Sequence, residues 1–114
     1  MKVFLFDSSA FFMGMIRRLL SGLPGLKIIA EANPLNALNR MKKLKPDAVI
    51  LDIKSYKMFG TDVIKNIRSI KPVPIIIMLT NGLCWNYLDK LNIKADFLFD
   101  KFSEMNKIRE VLSE

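Results

Sequence analysis

Four polar residues in this chain could do chemistry together: Asp7, Asp52, Thr80 and Lys101. Each lies one or two residues past the end of a short apolar run, at residues 3–6, 48–51, 75–79 and 97–99. Two carboxylates brought close together repel, so they need a cation, a proton or a lysine between them. Such a set suits transfer of a phosphoryl group to a carboxylate. Asp52 would attack phosphorus and carry the group. Mg²⁺ is the usual ion for oxygen-lined sites, and it would neutralise the crowded charge. Lys101 would offer a point charge to one phosphoryl oxygen. The Thr80 hydroxyl would bond another and move when the group arrives. The chain has no histidine, so the commonest general base and metal ligand is missing.

Side chains this far apart in sequence meet only if the apolar runs are neighbouring strands. The runs at 3–6 and 48–51 are apolar throughout, as in strands covered on both faces. Strand and helix signals alternate along the chain. Ser8-Ser9 can cap a helix running to about residue 20, with Phe12, Met15, Ile16, Leu19 and Leu20 as its apolar stripe. Gly22-Leu-Pro-Gly25 stops it. A strand at 26–30 precedes Asn33-Pro34, a cap followed by a helical first turn. The next helix carries Leu35, Leu38, Met41 and Leu44 on one stripe and ends at Pro46.

A third helix is expected at about 62–70, a strand at 75–79 and a short helix at about 85–91. A last strand at 96–99 leads to a helix capped by Ser103 and carrying Met105, Ile108, Val111 and Leu112. Phe4, Phe6, Phe97 and Phe99 read as core. Five strand–helix units imply a parallel sheet between helix layers. The flavodoxin-like strand order 2-1-3-4-5 fits five strands. It places strands 1 and 3 side by side, with Asp7 and Asp52 at adjacent ends. The fold class is therefore α/β: a (βα)5 three-layer sandwich spanning residues 1–114 as one domain.

Composition bounds the function. The 114 residues are 51% hydrophobic and 25% charged, which is globular and not disordered. A chain of this size buries roughly two-thirds of its unfolded surface. Cys84 is the single cysteine, so no internal disulfide forms and a cytoplasmic setting is expected. Asp7 and Arg17-Arg18 interrupt any export signal, and no apolar stretch reaches the ~20 residues of a membrane span. The net charge of +7 is spread over several helices. That reads as solvated faces in preference to a nucleic-acid footprint.

Four segments carry a resemblance: VFLFDSSAFF, PDAVILDIKSYKMFGTDVIKNIR, IIIMLT and ADFLFDK. Across essentially its whole length the chain resembles the receiver domain of two-component response regulators. The resemblance implies that Asp52 is the phosphoacceptor, Asp7 the first acidic residue, Thr80 the switch hydroxyl and Lys101 the phosphate-binding lysine. It implies Mg²⁺ held by Asp7, Asp52 and the Lys54 backbone carbonyl. Ser8 stands where the family usually has a second acid, and serine is a poorer ligand. Ser55-Tyr56, Phe59, Asn81-Gly82 and Phe102 also depart from the usual pattern, and Leu98 stands at the aromatic switch position. The Lys54 ammonium could pair with Asp7 or Asp52 in place of missing cation charge.

The expected function is a stand-alone receiver taking a phosphoryl group on Asp52 from a histidine kinase or phosphotransfer protein. Output would pass to a downstream protein through the fourth and fifth units, where Trp85 and Tyr87 lie. The chain is expected as a monomer or weak dimer. Any enzyme activity is limited to self-phosphorylation and self-dephosphorylation at the aspartate. The first alternative is a degenerate receiver, a protein-interaction module that works without phosphorylation. The second is a basic nucleic-acid-binding module, whose binding would weaken steeply with salt.

Overall fold

The apolar runs form one sheet. The computed structural model describes residues 1–7, 9–31, 33–52, 63–80 and 95–113. Its strands are β1 (Lys2–Phe6), β2 (Lys27–Glu31), β3 (Ala48–Asp52), β4 (Ile75–Thr80) and β5 (Phe97–Asp100). They pair in parallel in the order β2-β1-β3-β4-β5, as expected from the sequence. The described helices are α1 (Ala10–Leu20), α2 (Pro34–Leu44), α3 (Val63–Arg68) and α4 (Asn106–Leu112). The helix expected at 85–91 and the start of the one expected at 62 lie outside the described residues, as does the side chain of Leu35.

Side-chain alternation along the strands sorts the core into two layers. Phe4, Phe6, Val49, Leu51, Ile76 and Met78 face one way, against Ala37 and Met41 of α2 and Val63 and Ile67 of α3. Val3, Leu5, Ala48, Ile50, Ile77 and Leu79 face the other, against Ile16 and Leu20 of α1 and Ile108 and Leu112 of α4. A continuous apolar run is needed here because both faces of every inner strand are covered. Gly22 and Gly25, with φ of 88° and 73°, turn the chain from α1 toward β2, a backbone region that glycine enters without strain.

Register is fixed at the opposite end of the sheet from the polar residues. Asp47 precedes β3, and its Oδ2 accepts the Lys2 backbone N–H at 2.7 Å. Its own N–H donates to the Lys2 carbonyl at 2.8 Å. Asp96 repeats the device before β5: Oδ2 accepts the Ile76 N–H at 2.7 Å, and its N–H donates to the Ile76 carbonyl. Each aspartate thus ties the start of one strand to its neighbour. A slip of one residue would turn every apolar side chain to the wrong face.

Two core expectations need correction. Met15 is exposed, and Met13 packs on the core instead, so the buried face of α1 runs through Met13, Ile16 and Leu20. Phe97 is also exposed, stacking on buried Phe99 with ring centroids 5.7 Å apart. It begins β5, which is the edge strand among the described residues. Phe4, by contrast, is fully buried on a central strand. Phe4→Ala should cost about 3–5 kcal/mol of stability. Urea unfolding checks this through a lowered midpoint with an unchanged slope.

Candidate functional site

The same alternation builds the site. Asp7 continues the parity of Val3 and Leu5, and Asp52 that of Ala48 and Ile50. Lys101 continues that of Phe99. All three therefore fall on the face covered by α1 and α4. Phe6 and Leu51 are register partners on β1 and β3, so the next residues, Asp7 and Asp52, sit side by side. Thr80 closes β4 at the same rim, opposite Asp100, with the parity of Ile76 and Met78.

Lys101 joins the two carboxylates. Its Nζ donates to Asp7 Oδ2 at 2.8 Å and to Asp52 Oδ2. The three groups are buried, with 1% of Asp7, 4% of Asp52 and 7% of Lys101 exposed. Buried ions are tolerated only when paired and hydrogen-bonded, because desolvating each one costs several kcal/mol. Two carboxylates and one ammonium leave one net negative charge. Thr80 is buried beside them at the strand end, and its carbonyl accepts the Lys101 N–H at 2.7 Å. The structure thus brings the side chains of Asp7, Asp52 and Lys101 together, and Thr80 joins the same rim through its backbone.

Local sequence holds each partner in place. Asp7 Oδ1 accepts the Ser9 N–H at 2.8 Å, so the carboxylate also shapes the turn into α1. Ser9 is the N-cap of α1, and its side chain accepts from the Phe12 N–H. On the other side, Asp100 Oδ1 accepts the N–H groups of Phe102 and Ser103 at 2.7 and 3.1 Å. The Asp100 N–H donates to Glu104 Oε1, and the Glu104 N–H to the Asp100 carbonyl. A hydrogen bond from Lys107 holds the Glu104 carboxyl below its usual range.

This turn overturns the expectation that Ser103 caps the last helix. The backbone at 102–104 is already bound by Asp100, so α4 starts later. Its N-cap is Met105, with no side-chain hydrogen bond. Asp100 and Glu104 are positioning residues that the sequence reading missed. The signal was an acid followed four residues later by Glu, close to a capping-box spacing.

Phe12 was also missed. It was expected on the core stripe of α1, yet its half-buried ring lies under the ammonium, with Lys101 Nζ 4.0 Å from the ring centroid. Phe11 and Phe102 meet that ring edge-on, at centroid distances of 5.7 and 6.0 Å. Nothing in the spacing of the sequence announces this contact.

The donor set bears on the metal. Mg²⁺ commonly takes one or two carboxylates and fills its octahedron with water and phosphate oxygens. Asp7 and Asp52, bridged by one ammonium, provide that minimum. Among the described residues no cluster of three or more His, Cys, Asp or Glu could hold a metal. Asp7 and Asp52 are thus the two described carboxylates that would contribute to holding Mg²⁺. Ser8, Lys54, Ser55, Tyr56, Phe59, Asn81, Gly82, Cys84, Trp85 and Tyr87 lie outside the described residues.

Known proteins share this arrangement of strands. The model of the response regulator receiver domain family matches residues 3–113. The chain belongs to that family. A protein-glutamate methylesterase/protein-glutamine glutaminase of Idiomarina loihiensis is 34% identical over 113 residues, covering 96% of this chain and 29% of that protein. The chain spans less than a third of the length of the curated relatives it matches. The signal receiver domain of a DNA-binding response regulator of Colwellia psychrerythraea is 25% identical with a TM-score of 0.77, covering 99% of this chain and 98% of that one. The receiver domain of the response regulator AraT of Geobacillus stearothermophilus shares the fold, with a TM-score of 0.80 at 22% identity, over 98% of this chain and 89% of that one. No described helix is long and apolar enough to cross a membrane.

The ion pairs make Lys101 a structural residue of this receiver domain. Lys101→Met would leave two buried carboxylates facing each other. Stability at neutral pH should fall by about 3–5 kcal/mol. Thermal unfolding at neutral pH reads the effect. Asp100→Ala should cost about 0.5–2 kcal/mol by removing the acceptor for Phe102 and Ser103.

Proposed function

We propose that Asp52 accepts a phosphoryl group from a phosphohistidine of a histidine kinase or phosphotransfer protein. The observation that carries this reading is a buried carboxylate at the end of the central strand β3, sharing one ammonium with a second buried carboxylate. Lys101 holds the Asp52 carboxylate in place through its Oδ2. In the reaction, one Asp52 oxygen attacks phosphorus and a P–O bond forms. The P–N bond to the donor imidazole breaks, and its electron pair goes to nitrogen, which takes up a proton from solvent. The product is an acyl phosphate. Lys101 passes its hydrogen bond from the Asp52 carboxylate to a phosphoryl oxygen.

Asp7 and Asp52 would hold Mg²⁺, which supplies charge neutralisation for the incoming phosphoryl oxygens. The Lys54 carbonyl is the third ligand in this reading. Serine at position 8 makes that ion weakly held. The Thr80 hydroxyl would turn to a phosphoryl oxygen and carry the backbone after it toward β5. That movement at the β4–β5 side is the signal passed to a downstream protein. We place the protein in the cytoplasm, as a monomer or weak dimer.

A second reading has its own observation. Lys101 already satisfies both carboxylates, and Ser8 removes an acid, so the fold could work as an interaction domain without phosphorylation. A small phosphodonor with Mg²⁺ separates the two. Mass spectrometry should show the gain of one phosphoryl group, abolished in Asp52→Asn. No gain in the unaltered protein would favour the phosphorylation-independent reading.

A further inference from the structure

We propose that Phe12 is a positioning residue for Lys101: its ring face is a non-directional seat on which the ammonium shifts from carboxylate to phosphoryl oxygen. The inference rests on the phosphoacceptor reading of Asp52. Lysine ends in a compact charge on a flexible four-carbon stem, so its direction must be imposed from outside. Two of its three N–H groups go to Asp7 and Asp52. The ring of Phe12 lies 4.0 Å from Nζ, well inside the range of cation–π attraction.

The ring itself is held on several sides. Its backbone N–H is bound by the Ser9 cap, and Phe11 and Phe102 stand edge-on to it. Phe102 follows Lys101 directly in the turn made by Asp100, so lysine and ring share one support. A fixed oxygen acceptor for the third N–H would pin the ammonium in its resting position. A π face attracts charge over its whole area, so the ammonium can move across it without losing its support. The apolar ring also keeps water from that side of the charge, which strengthens its pull on a phosphoryl oxygen. The ring supports the lysine, so its effect falls on the rate of transfer and not on donor capture.

Phe12→Leu removes the ring while keeping apolar bulk, and Phe12→Met does so with an unbranched side chain. Phe12→Tyr keeps the face. Phosphorylation of Asp52 by a small phosphodonor with Mg²⁺ is followed over donor concentration, and exchange of the Lys101 ammonium protons is measured by NMR. Phe12→Leu and Phe12→Met should lower the maximal rate about three- to thirtyfold. The half-saturating donor concentration should not change, and ammonium exchange should quicken. Phe12→Tyr should keep both native values. Native rate and exchange in whichever ring-less variant folds would overturn the proposal. So would equal impairment of Phe12→Tyr and Phe12→Leu, which would reduce Phe12 to packing. If the unaltered protein takes no phosphoryl group, the Asp52 reading fails, and ammonium exchange alone then decides for or against the Phe12 seat.

Discussion

One ammonium between two buried carboxylates governs the rest of this molecule. Asp7 and Asp52 end adjacent strands, and their burial side by side is tolerated because Lys101 bonds to both. The lysine comes from the far end of the chain, 94 residues from Asp7. Its arrival therefore requires the whole sheet to be assembled in the right order. The site is not added to the fold. It is the place where correct strand order is checked by charge.

The scaffold answers that demand from both ends of the sheet. Asp47 and Asp96 fix register where strands begin, by taking backbone N–H groups of neighbouring strands. Asp7 and Asp100 shape the turns where strands finish. Four aspartates thus do local backbone work, and only Asp7 also faces Lys101. Two apolar layers between these ends tolerate no slip, because each inner strand is buried on both faces. Charge placement at the rim is a consequence of apolar packing several residues away.

Membership in the receiver family gives this arrangement its functional direction, while the chain's own residues set its limits. Lys101, with Phe12 under it, covers one side of the site. The aromatic group of Phe11, Phe12 and Phe102 lies where α1 meets the turn after β5, joining the two segments that hold Asp7 and Lys101.

Much was legible from the chain alone. Continuous apolar runs gave the strands, and apolar residues at helical spacing gave the helices. The alternation of strand and helix gave parallel order 2-1-3-4-5, and that order brought Asp7, Asp52, Thr80 and Lys101 to one rim. These are properties of local sequence, because burial on two faces demands continuous apolar residues and short polar breaks. Only the tertiary structure decided the finer assignments. Met13 and not Met15 meets the core, Phe97 is left outside, Asp100 binds the backbone at Ser103 so that the helix starts later, and Phe12 turns to the lysine. Each depends on which surface comes to lie opposite, and a side chain's spacing along its own segment carries no record of that neighbour.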